Sequence, residues 1–178
     1  MKLIFTLFFL FFLMSCQNES KNSGGENIDY YQFQRLDLRK YDIPATIYLP
    51  DASAGIGASF KPLIDHEVGD YKWKIRVGRY FTINFEDYGD FNYLYEEKKK
   101  QIIGNKVYKT KIIKEENSIL VYQQTLKEEI GLKKNITFHI YAVVILDAVY
   151  YQIMNSENGN SKKEIDFMYK SIKSIKKI

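Results

Sequence analysis

Two short acidic runs and one glycine-bearing loop hold most of the side chains whose types and spacing could do chemistry. "DHEVGD" groups Asp65, His66, Glu67 and Asp70, and "EDYGD" adds Glu86, Asp87 and Asp90. If both runs lie at one end of a sheet, their carboxylate oxygens could hold a hard cation such as calcium, though the spacing is not that of an EF-hand. The same groups could serve a hydrolase, since two carboxyl groups flanking a bond suffice for glycoside hydrolysis. Against both readings, acidic clusters at strand ends are commonly solvated turns and helix caps. The sequence assigns no catalytic residue and leaves metal binding open.

The loop "GIGASFK" carries Gly55, Gly57 and Ser59 ahead of Lys61 and resembles a phosphate cradle only superficially. A dinucleotide fingerprint needs a third glycine where this chain has Phe60, and the residues beyond begin a strand instead of a helix. A Walker loop needs Gly-Lys-Ser/Thr after four residues, a spacing not met around Lys61. The glycines are therefore expected to let a small-residue loop turn or move after a Leu-Pro strand end. His66 and His139 are the only histidines, no Gly-x-Ser-x-Gly elbow occurs, and Cys16 is the single cysteine. No intramolecular disulfide can form, and no cofactor is implied.

These residues need a scaffold, and hydropathy periods describe it. "YKWKIRV" puts Trp73, Ile75 and Val77 on one face and Lys72, Lys74 and Arg76 on the other, the pattern of a half-buried strand. "RYFTINFED" repeats it with Phe81, Ile83 and Phe85 inward, so the two read as an antiparallel pair across Gly78. Upstream, Ala45 to Leu49 is a strand ended by Pro50-Asp51. Between Asp87 and Asn105 the period becomes helical, with Phe91, Leu94, Tyr95 and Ile102 on one face, Asp90 as the expected cap and Gly104 as the stop. Strands follow over "KVYKTKII", "SILVYQQTL", "NITFHIYAVVIL" and "AVYYQIM", the first two joined by an expected turn at Glu115-Glu116-Asn117. The chain closes on a helix with Ile165, Met168, Tyr169, Ile172 and Ile175 at helical spacing and Ser161 as its cap. The expected class is α+β, an antiparallel sheet packed with a middle and a C-terminal helix. With 15 Tyr and 12 Phe, the aromatic content suits such a sheet.

The first residues read as an address. "MKLIFTLFFLFFLMSC" has one lysine, an apolar run from Leu3 to Met14, then Ser15 and Cys16; the run is too short to span a membrane as a helix. Leu13-Met14-Ser15-Cys16 resembles the lipobox of bacterial lipoproteins, in which the cysteine is acylated, with palmitate among the chains, and becomes the mature N-terminus. That resemblance implies a signal peptide over 1–15, with lipidation at Cys16. Two or three acyl chains anchor stably where one would be marginal. "QNESKNSGGEN" has no large apolar residue and reads as a flexible tether over 16–28. Residues 29–178 are then the length of one domain. Gln17, in place of an aspartate, favours the outer membrane under the sorting rule of enterobacteria. Lys and Arg total 26 against 22 Asp and Glu, mixed along the chain, so no nucleic-acid partner is indicated.

The order of strands, middle helix, strands and closing helix, with Leu49-Pro50 ending a strand and "FMYKSIKSI" near the end, resembles the PsbP-like fold. That fold includes the Ran-binding Mog protein and many small bacterial lipoproteins, and the resemblance implies an α/β/α sandwich with no active site to carry over. The lipidated start and "YDIPATIYLPD" also resemble lipoproteins of Bacteroidetes. The expected role is a noncatalytic binding or assembly module, anchored to the cell envelope and engaging an envelope protein or a small ligand. The alternative is an envelope hydrolase or cation-binding protein that uses the loops at 65–70 and 86–90.

Overall fold

Strict alternation in two adjacent segments builds the centre of the molecule. In the computed structural model, which describes residues 29–59, 61–127 and 135–178, β4 (Lys72–Val77) and β5 (Phe81–Asp87) pair with Lys74 opposite Asn84 and Ile75 opposite Ile83. Cys16 and the tether lie outside the described residues. Trp73, Ile75, Val77, Phe81, Ile83 and Phe85 are all buried on one side of this pair, as the alternation predicts.

Around the pair the chain forms β1 (Phe33–Asp37), β2 (Ala45–Pro50), β3 (Leu63–Asp65), α1 (Leu94–Ile103), β6 (Tyr108–Glu116) and β7 (Ile119–Leu126). β8 (Ile136–Leu146), β9 (Val149–Asn155), α2 (Lys162–Lys173) and β10 (Lys176–Lys177) complete it. Seven strands join in the order β3-β4-β5-β9-β8-β7-β6, all neighbours antiparallel, and β1-β2-β10 form a small second sheet. The fold is α+β as expected, with a helix on each side of the large sheet.

The two faces of that sheet are covered differently. Its first face packs against α2 and the small sheet: Ile47 and Leu49 of β2 and Ile165, Met168 and Ile172 of α2 share one core with Ile75, Ile83 and Ile153. Each such side chain contributes roughly 1.5–3 kcal/mol by leaving water. On the second face, Leu94 and Ile102 of α1 meet Leu120, Tyr122, Tyr141 and Val143 of β7 and β8. β8 is buried on both sides through its middle, which is why "IYAV" lacks alternation.

Turn and cap chemistry holds these parts in place. Ser161 accepts the Glu164 amide and the Glu164 carboxylate accepts the Ser161 amide, so α2 begins with the expected cap, worth about 1 kcal/mol. Asn155 is buried; its Oδ1 accepts the Ile140 amide at 3.0 Å, and its Nδ2 donates to Asn160 Oδ1 at 2.9 Å, tying β9 and its exit loop to β8. Glu116 accepts from the Tyr169 hydroxyl at 2.6 Å and from Lys173 at 3.0 Å, which holds its pKa down at about 2 and joins α2 to the β6 end.

Two local expectations are corrected. Asp90 does not cap α1: the helix starts at Leu94 after Tyr93, which makes no side-chain cap bond. β5 instead keeps pairing beyond Asp87, through Tyr88 N–H to Tyr150 O and Tyr150 N–H to Gly89 O, and this moves the helix start downstream. The turn between β6 and β7 is Asn117-Ser118, both at positive φ, so Glu115 and Glu116 remain in the strand. Two residues at positive φ match the twist of a tight hairpin, and Asp147-Ala148 make the same turn between β8 and β9.

Candidate functional site

α1 is ten residues long, about 15 Å, whereas seven strands span about 29 Å, so one short helix cannot roof the second face. It covers the β8-β7-β6 half. The remainder is an open groove of about 930 Å³ over β3, β4, β5, β9 and the near edges of β8 and β7.

Strand register sets its floor. Lys74 of β4, Asn84 of β5 and Met154 of β9 lie in one cross-strand row, with Arg76 and Thr82 in the next. These are the outward positions of the segments whose inward positions form the core. Lys98 reaches the groove from α1, Ser156 to Asn158 from the β9–α2 loop, Asp65 from the end of β3, and His66, Glu67 and Asp70 from the β3–β4 loop. Two cations on the floor are neutralised locally: Lys72 pairs with Glu86 at 3.1 Å and Arg76 with Asp65 at 2.9 Å. Among the described residues, Lys74 and Lys98 have no carboxylate at ion-pair distance. Gln152 is 2% exposed beside Glu86; its Nε2 donates to that carboxylate at 3.2 Å, while its Oε1 is buried without a partner among the described residues.

His139 marks the wall between the covered and bare halves. Its Nε2 lies 2.9 Å from the Thr137 hydroxyl and its ring stacks on Tyr122, centroids 5.2 Å apart. Gly159 closes over this pair: at φ 74°, a Cβ there would fall 2.5 Å from Thr137 Cβ and 3.0 Å from His139 Nε2. Burial lowers the His139 pKa to about 4, so the ring is neutral near pH 7 and a weak base. Burial also raises the Tyr122 hydroxyl to about 12.

The structure brings both acidic runs to one end of the sheet, where the Asp87 amide donates to Tyr71 O at 2.8 Å. Their carboxylates nevertheless point apart. Glu86 faces the groove and holds Lys72, Gln152 and Tyr88, whereas Asp87 lies one residue on, toward the opposite face, and accepts the Gly89 amide at 2.7 Å. Asp65 is engaged by Arg76, and Glu67, Asp70 and Asp90 stand exposed. His66 meets the Lys72 carbonyl through Nδ1 at 3.0 Å and stacks on Trp73 at 4.7 Å. Among the described residues, no three His, Cys, Asp or Glu side chains converge as a metal shell.

The glycine loop sits at the far end of β4, about 20 Å from the acidic runs. Gly55 and Gly57 both take positive φ, and Ala54 and Ile56 between and before them are buried. Lys163 donates to Gly55 O at 3.1 Å, the Arg79 amide to Gly57 O at 3.1 Å, and Gln34 to Ser59 O at 3.3 Å. Glycine is needed here because the loop presses on the β4–β5 turn: a Cβ on Gly78 would lie 1.9 Å from Gly57 O. The loop latches the small sheet to the large one and does not line the groove.

Sequence reasoning missed Lys74, Lys98, Asn84, Tyr122 and Met154 as site residues. For Lys74 and Asn84 the signal was present as the polar half of an alternating strand. Thr82, Asn84 and Glu86 are unusual on a strand that proves to lie inside a sheet, and an interior strand with a polar face borders water or a ligand. No protein-family model matches this chain, no curated protein matches it, and no solved structure matches it.

Proposed function

We propose that this chain is a lipid-anchored cell-envelope protein, held by acyl groups on Cys16 and probing its surroundings with the open half of its large sheet. It is a noncatalytic binding module of PsbP-like architecture, placed at the outer membrane, and its partner is an envelope protein or a small ligand. The carrying observation is the groove itself. At about 930 Å³ it has the size of a small-ligand site, and its floor is built from regular strands whose core-facing neighbours are fully packed. A site on strands is rigid, which suits recognition.

The hydrolase or cation reading draws on the shared position of the two acidic runs. It is the weaker reading because Asp65, Glu86 and Asp87 are each committed to a partner within the fold.

Two measurements test the proposal. Metabolic labelling with an alkynyl fatty acid should mark the wild-type protein and leave Cys16→Ser unlabelled; label retained on the variant refutes the anchor. Titrating the ¹⁵N-labelled protein with fractionated envelope extract should move amides of Lys74, Asn84 and Met154. Shifts confined to other surfaces refute the groove.

A further inference from the structure

The small sheet and α2 cover the first face of the large sheet, and the described chain begins on the outward side of that layer. In β1 and β2, Leu36, Ile47 and Leu49 turn inward to the shared core. Strand alternation therefore turns Arg35, Asp37, Thr46 and Tyr48 outward; the register sets Arg35 opposite Tyr48, and Thr46 opposite both Asp37 and Lys176 of β10. Just ahead of β1, Tyr30 stacks on Tyr48 with centroids 4.9 Å apart, and its hydroxyl donates to the Lys170 carbonyl at 3.4 Å. The Lys170 ammonium lies 6.0 Å from the Phe167 ring, which packs on Phe33 at 5.4 Å. Arg35, Lys170 and Lys176 are thus gathered round the point where the chain enters, on the side turned away from the groove.

Charge and exposure distinguish this side. Asp37 is taken by Arg39, and Glu116 by Lys173 at 3.0 Å, whereas Arg35, Lys170 and Lys176 have no carboxylate at ion-pair distance among the described residues. Arg35 and Lys176 are exposed, and Tyr31, beside the entry, is 80% exposed. Cations of this kind are drawn to an anionic membrane surface, and tyrosine settles at headgroup level. The groove side instead presents the exposed carboxylates Glu67, Asp70 and Glu157, which such a surface repels. The stretch from Cys16 to Asp29 can reach about 45 Å when drawn out, enough for any side of the domain to touch the bilayer, so surface chemistry decides which side does. Building on the anchored reading above, we infer that the side bearing Tyr31, Arg35, Lys170 and Lys176 lies on anionic lipid headgroups of the membrane that holds the anchor. The groove then points away from that membrane.

The test places the full-length lipidated protein in bicelles of phosphatidylcholine, with or without phosphatidylglycerol, each carrying a gadolinium-bearing headgroup lipid. With phosphatidylglycerol present, amides of Tyr31, Arg35, Tyr48 and Lys176 should broaden at least about threefold more than those of Lys74 and Asn84. In neutral bicelles, or in high salt, that difference should vanish. Changing Arg35, Lys170 and Lys176 together to Glu should erase it in anionic bicelles while the protein stays anchored; the comparison of the two lipids with the unaltered chain stands even if that variant folds poorly. Equal broadening of both groups, stronger broadening at Lys74 and Asn84, or a pattern indifferent to lipid charge overturns the inference and leaves the anchor standing. If fatty-acid labelling shows Cys16 unacylated, the anchor fails separately, and co-flotation with vesicles of the same two compositions decides this side. Preference for the anionic vesicles that is lost on charge reversal upholds it, and indifference to lipid charge overturns it.

Discussion

The two faces of the seven-stranded sheet use the same strands to opposite ends. On the first face the inward side chains of β4 and β5 share one buried cluster with residues of α2 and the small sheet, and the result is a dry core. On the second face α1 covers the β8-β7-β6 half, and the neighbouring half is left as a polar groove. The difference lies in covering area: twelve helical residues and three strands oppose one face, ten helical residues the other. An antiparallel sheet tolerates this because each strand can present an apolar and a polar side independently. In this molecule the dry core lies on one face and the open polar groove on the other.

Substitutions at adjacent positions can break that comparison. Phe85 and Asn84 are neighbours on β5 with side chains on opposite faces. Phe85→Ala should cost about 3–5 kcal/mol, and Asn84→Ala less than about 1 kcal/mol, in urea unfolding. Similar losses at the two sites would mean that the faces are not energetically distinct. Gly78→Ala tests the latch that holds the covering layer on the first face. With φ at 69° and Gly57 O at 1.9 Å from the new Cβ, the variant should lose about 2–3 kcal/mol and loosen the loop at 52–59, visible as faster amide exchange there. Unchanged stability would show that the latch carries no strain.

Protonation sharpens the boundary between the covered and bare halves. The folded pKa of His139 is lowered to about 4 from 6.5, so between those values the unfolded chain binds more protons than the folded one. Stability should therefore fall as pH drops from about 6.5 toward 4, and His139→Gln should flatten that part of the profile. A His139 ring that titrates by NMR near 6.5 would mean that this wall is as wet as the groove beside it. The smallest effect is expected at the acidic end. Asp70→Asn and Asp87→Asn should each change the Tm by no more than about 2 °C, with or without millimolar calcium, because neither carboxylate shares a ligand shell. A calcium-dependent rise lost in either variant would restore the cation reading.

Legibility in the sequence followed the range of the interactions. The inward faces of β4 and β5, the α2 stripe and the Ser161 cap were readable because periods of 2 and 3.6 and a three-residue capping box are local. The Asp90 cap failed because β5 runs on against β9, a partner some sixty residues away that local propensity does not register. The acidic residues were found as a cluster, yet the commitment of Glu86 to Lys72 and of Asp65 to Arg76 depends on cross-strand register.

Residue order alone determined the α+β class, the alternating strands and the amphipathic last helix, since each follows from side-chain pattern acting over a few residues. Only the tertiary structure decided that β9 inserts between β5 and β8, that α1 covers one part of a sheet face and leaves the rest open, and that Lys74 and Lys98 line one groove. Those outcomes arise from strand order and covering area, which are properties of distant segments meeting.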